Sequence, residues 1–80
     1  MYEGVSIDYL NGGEKAFEKR FPKEYVECRN RIPMVFEFSG ADICGPDALN
    51  VRYINSNDEN EFFDVDFKNG VVVRSERDRD

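Results

Sequence analysis

Asp64 and Asp66 stand two apart in the run Glu61-Phe62-Phe63-Asp64-Val65-Asp66-Phe67, so on a strand both carboxylates project to one face. Paired carboxylates can hold magnesium or divide acid and base roles between them. Just upstream, Asn55-Ser56-Asn57-Asp58-Glu59-Asn60-Glu61 offers successive oxygen ligands, as a calcium loop does. The EF-hand pattern needs an acid first, glycine sixth and glutamate twelfth, and here those positions hold Asn55, Asn60 and Asp66. A hairpin loop rich in turn residues explains the same run without a metal. Asp64 is expected between Arg52 and Arg74 on neighbouring strands, which suits a cross-strand ion pair better than catalysis. The chain contains no histidine, which removes Ser–His and Cys–His nucleophile pairs and every His-containing metal site. Cys28 and Cys44 are too few for a four-thiolate centre and fit no CxxC motif. Gly40-Ala-Asp-Ile-Cys-Gly45 lacks the GK[ST] ending of a phosphate loop. No enzyme activity, cofactor or metal is expected. A small metal-dependent enzyme built on Glu61, Asp64 and Asp66 is the least favoured reading.

Phe62 is a different case. With Ile54 it is expected on the solvent side of the sheet, flanked by Asp58, Glu59, Glu61, Asp64 and Asp66. An apolar aromatic centre with a charged rim has the composition of a binding patch. Ile54, Asp58, Glu59, Glu61, Phe62, Asp64 and Asp66 are therefore the expected partner-contacting residues.

Charge points the same way. Residues 1–32 balance Glu3, Asp8, Glu14, Glu18, Glu24 and Glu27 against Lys15, Lys19, Arg20, Lys23, Arg29 and Arg31. The net charge of −6 therefore resides in 33–80. An acidic half repels phosphate backbones and suits a basic partner, or simply confers solubility. Lys15, Lys19 and Lys23 are interleaved with Glu14, Glu18 and Glu24, a solvated helix face rather than a nucleic-acid contact. The expected function is a small acidic inhibitor or adaptor that docks on a basic site of a larger protein. Such sites include nucleic-acid channels, and phage-encoded inhibitors of host nucleases or defence complexes offer an analogy in size and charge. The alternative is a homo-oligomeric structural module, a homodimer for example, whose outer face or edge pairs with a copy of itself. No apolar run approaches the roughly 18 residues a bilayer span requires, and Met1-Tyr2-Glu3-Gly4 lacks the start of a signal peptide. A cytoplasmic, reducing setting is expected, with no membrane contact and with a Cys28–Cys44 disulfide the less favoured state.

The elements that must position these residues follow from periodicity. Phe17, Phe21, Tyr25, Cys28 and Ile32 form one helical stripe, and Pro22 interrupts it. The spacing predicts helices at 14–21 and 22–31, or one kinked helix, ended by Pro33. Gly4–Leu10 places Val5, Ile7 and Tyr9 at period two, a strand that joins the sheet edge or covers its outer face. Met34, Phe36 and Phe38 alternate, 40–48 reads as a connection, and strands follow at Leu49–Asn55, Glu61–Phe67 and Val71–Ser75.

A five-residue loop at 56–60 pairs Leu49 with Phe67, Val51 with Val65 and Tyr53 with Phe63. On the other face it sets Arg52 against Asp64 and Ile54 against Phe62. At Lys68-Asn69-Gly70 a two-residue turn would oppose Val65 to Arg74 and Asp66 to Val73. A three-residue loop, which opposes Phe67 to Val71, Val65 to Val73 and Asp64 to Arg74, is therefore expected. Leu49, Val51, Tyr53, Phe63, Val65, Phe67, Val71 and Val73 form the predicted inner face, extended by Met34, Phe36 and Phe38. The fold class is α+β: an antiparallel sheet of three to five strands with one kinked helix or two short helices on one face. Residues 1–74 read as one domain, and 75–80 as a charged, frayed tail.

Overall fold

Pro22 divides the helical layer. It has no N–H to donate and its ring disfavours the helical region for the residue before it, so Phe21 leaves the helix with φ −130° and ψ 64°. In the computed structural model, which describes residues 8–79, α1 spans Gly13–Arg20 and α2 spans Pro22–Arg31. Pro22 thus takes the first position of α2, where its missing donor costs nothing. The stripe survives the break. Phe17, Cys28 and Ile32 are buried, and Phe21 and Tyr25 pack against the same core. The Phe17 ring stacks on Phe38 at 5.4 Å and meets Tyr25 edge-on at 6.0 Å.

The helices lie on one face of an antiparallel sheet of β1 (Asp8–Tyr9), β2 (Phe36–Ile43), β3 (Ala48–Asn55), β4 (Asp58–Lys68) and β5 (Val71–Arg79). The strands lie side by side in chain order. The α+β class read from the sequence is the observed one. In the central pair, Leu49 faces Phe67, Val51 faces Val65, Tyr53 faces Phe63, Arg52 faces Asp64 and Ile54 faces Phe62, as predicted. Of the segment Gly4–Leu10, residues 4–7, Val5 and Ile7 included, lie outside the described residues. Asp8 and Tyr9 pair with Ile43 and Asp42, so the strand joins the sheet at its edge.

Several expectations are corrected. β2 runs on to Ile43, bulging between Phe38 and Gly40, so 40–43 is strand rather than connection. Met34 precedes β2 and is 83% exposed, so it does not extend the inner face. The 56–60 loop contracts to a turn at Ser56-Asn57, with Asn55 opposite Asp58 and a register shift beyond it. Asn55 Oδ1 accepts the Asn57 N–H at 2.8 Å, which holds that turn.

At the last hairpin, Asn69 (φ 53°) and Gly70 (φ 77°) form the two-residue turn after all. A bulge resolves the clash of polarity that argued against it. Lys68 faces Val71 and Phe67 faces Val72, then Val73 is passed over, so that Asp66 faces Arg74 and Val65 faces Ser75. Val71 and Val73 therefore fall outside the core, each 63% exposed, and Val72 packs against it instead. The predicted tail is also strand. Residues 75–79 continue β5 because Arg77 pairs with Glu61 at 3.1 Å and Arg79 with Asp58 at 2.7 Å. Each bridge ties the charged segment to β4.

Two outcomes follow. Tyr53 is fully buried, yet its hydroxyl has no hydrogen-bond partner among the described residues. An orphaned buried hydroxyl costs about 1–3 kcal/mol. Tyr53→Phe should therefore raise the thermal midpoint, and a fall in calorimetry would mean that the hydroxyl is bonded. Gly70→Val places a β-branched residue at positive φ and should destabilise by about 1–3 kcal/mol, measured by urea unfolding. An unchanged midpoint would exclude this turn geometry.

Candidate functional site

With both helices on one side, the opposite face of β2–β5 carries no covering element among the described residues. Cross-strand register arranges this face in rows. One row runs Glu37, Ile54, Phe62, Asp78. The next runs Gly40, Arg52, Asp64, Glu76, and the third Asp42, Asn50, Asp66, Arg74. A single apolar pair, Ile54 and Phe62, thus lies between two carboxylates.

Arg52 organises the centre. Its Nε and Nη2 donate to the two Asp64 carboxylate oxygens at 2.9 and 3.1 Å. Its guanidinium also lies 4.2 Å from the centroid of the Phe62 ring. Phe62 is consequently half-buried rather than open. Asn50 Nδ2 donates to Asp66 Oδ1 at 2.5 Å, and Arg74 pairs with Glu76 on the same face. Because Gly40 presents no side chain to Arg52, a shallow depression of about 300 Å³ forms, lined by Ser39, Gly40, Asp42, Asn50 and Arg52.

Of the seven expected contact residues, Ile54, Phe62, Asp64 and Asp66 come together on this face. Glu61 does not. One position from Phe62, it points to the helix side, where it accepts from Arg77 and from Asn55 Nδ2 at 2.7 Å. Asp58 is engaged by Arg79, and Glu59 lies exposed near the β3–β4 turn. The expected partner of Asp64 is likewise halved. Arg52 is there, whereas the bulge at Val73 moves Arg74 opposite Asp66. Glu37, Asp42, Glu76 and Asp78 were not anticipated on the face. Alternation of Phe36, Phe38 and Ala41 with Glu37, Gly40 and Asp42 was the available signal in β2, obscured by the bulge at Ser39.

No cluster of three His, Cys, Asp or Glu side chains suited to a metal is present among the described residues. Both cysteines are free thiols. Burial pushes the Cys28 thiol up to about 12, which keeps it protonated and unreactive near neutral pH. At one end of the sheet, Phe21, Glu24, Pro46, Leu49, Phe67 and Gly70 border an open cleft of about 540 Å³. No described helix is long and apolar enough to cross a membrane. Comparison of the chain with protein-family models, with curated proteins and with solved structures yields no match.

Hydrogen bonds from Arg77 and then Asn55 hold the Glu61 carboxyl below the usual carboxylate range. A depressed folded-state value contributes stability above the unfolded-state value, and this contribution is lost as pH falls through the folded-state value. Glu61→Gln should therefore lower the thermal midpoint at neutral pH, and the gap from the parent should close below about pH 4. A gap independent of pH in a calorimetric series would remove the ionised Glu61–Arg77 pair from the account.

Proposed function

We propose that the protein is a non-enzymatic interaction protein, an inhibitor or adaptor that docks the open face of its sheet on a basic site of a larger protein. The reading rests on one observation: the sheet face left bare by the helices carries Glu37, Asp42, Asp64, Asp66, Glu76 and Asp78 around Ile54 and Phe62. Among the described residues Arg52, Arg74 and Lys68, which pairs with Ala48, oppose them there, so the face stays negative, with an aromatic centre suited to anchoring. Carboxylates two apart on a strand repeat at about 7 Å, so the face offers a ladder of anions to a partner surface built for phosphates. The kinship with phage-encoded inhibitors of nucleases or defence complexes is an analogy of size and charge.

The face should divide its work between rates. Phe62→Ala removes the anchor and should speed dissociation by about 2 kcal/mol. Glu37→Lys with Asp42→Lys reverses two charges on β2 and should slow association and flatten its salt dependence. Capture from lysate at low and high salt supplies the partner, and stopped-flow mixing measures the rates. Capture of no salt-sensitive partner, or binding unchanged in both variants, would sink the reading.

A further inference from the structure

β5 is the last strand in the sheet, so one of its edges is unpaired among the described residues. A nine-residue edge is a template for another strand. Neither helix covers it: every residue from Val73 to Arg79 is exposed. Any copy approaching this edge meets backbone, not a helical layer.

We propose that β5 pairs antiparallel with β5 of a second copy about a two-fold axis at Ser75, joining two five-stranded sheets into one. In such a pair directly opposed residues share a face, so the residue on the axis faces its own copy. Centring on Arg74, Glu76, Arg77, Asp78 or Arg79 therefore sets a charge against itself. Centring on one of the valines leaves most of the strand without a partner. Ser75 is the uncharged position between Arg74 and Arg79, and it is the midpoint of Val71–Arg79.

In that register the regular segment around Ser75 pairs with its copy. Arg74 meets the partner's Glu76 and Glu76 meets the partner's Arg74. The Arg74–Glu76 pair already present in each chain then becomes half of a square of alternating sign. The bulge at Val73 shifts the faces of Val71 and Val72 by one residue, so strict pairing about Ser75 covers residues 74–76, and exposed Val71 and Val73 lie beside the partner's 77–79 segment. Charged edges stay monomeric by opposing like charges, and on β5 that repulsion acts in the competing charged centrings and spares this one. Both helical layers fall on the same side of the joined sheet. The acidic faces form one continuous surface on the other.

Sedimentation velocity of the full chain over a rising concentration series tests the pairing. The parent should shift from monomer to dimer. Arg74→Glu and Glu76→Arg, which each make both symmetry-related pairs repulsive, should weaken dimerisation roughly tenfold. The double variant, Arg74→Glu with Glu76→Arg, should restore it. Glu76→Arg brings a cation opposite Asp64 of its own β4 but also beside Arg74, so thermal midpoints taken in parallel separate a loss of folding from a loss of pairing. A chain monomeric at the highest concentration, or a dimer indifferent to both single reversals, would overturn the proposal. Glu37 and Asp42 lie on β2, remote from this edge in the strand order, so the partner test above fails or succeeds separately.

Discussion

Contact between Val51 and Val65, flanked by Leu49–Phe67 and Tyr53–Phe63, is the constraint on which the other elements depend. Side chains alternate strictly along a strand, so a slip of one residue would turn this whole set toward water. Burying each such side chain is worth about 1.5–3 kcal/mol, and in so small a domain several lost together exceed the net stability. The register is therefore tightly held, and Phe17, Phe36 and Phe38 are arranged around it.

The described residues supply one helical layer. The apolar stripe from Phe17 to Ile32 is consumed on one face of the sheet, which leaves the other with no apolar cover among the described residues, and that face is polar. The polarity is organised rather than random. Arg52 reaches Asp64 and Phe62, and Asn50 reaches Asp66, so these side chains are held by neighbours across a strand. A surface restrained in this way has less side-chain entropy to lose when something covers it.

Legibility in the sequence followed the range of the interactions. Pro22 and the four-residue spacing of the aromatics act locally, and the two helices came out nearly residue for residue. The β3–β4 register was legible because many apolar pairs agreed on it. The last hairpin was not. Asn69-Gly70 is a strong local turn signal, but its consequence depends on Val73 leaving the ladder, and a bulge has no composition of its own. Residues 75–79 read as a tail because Arg77 and Arg79 find Glu61 and Asp58 only once β4 is in place. The candidate face was half visible for the same reason: Ile54, Phe62, Asp64 and Asp66 sit on the legible pair, whereas Glu37, Asp42, Glu76 and Asp78 sit on strands whose bulges shift the pattern.

Strand order has a kinetic meaning as well. From β2 to β5 each strand pairs with its neighbour in sequence, so closing each hairpin costs only the entropy of a short loop. The helices pack on each other, and α1 packs on β2. They precede β2–β5 in the chain, and their aromatic stripe gains its full cover when β2, β3 and β4 have come together. Contact-order reasoning therefore places full burial of the N-terminal helices after closure of the hairpins that follow them in the chain.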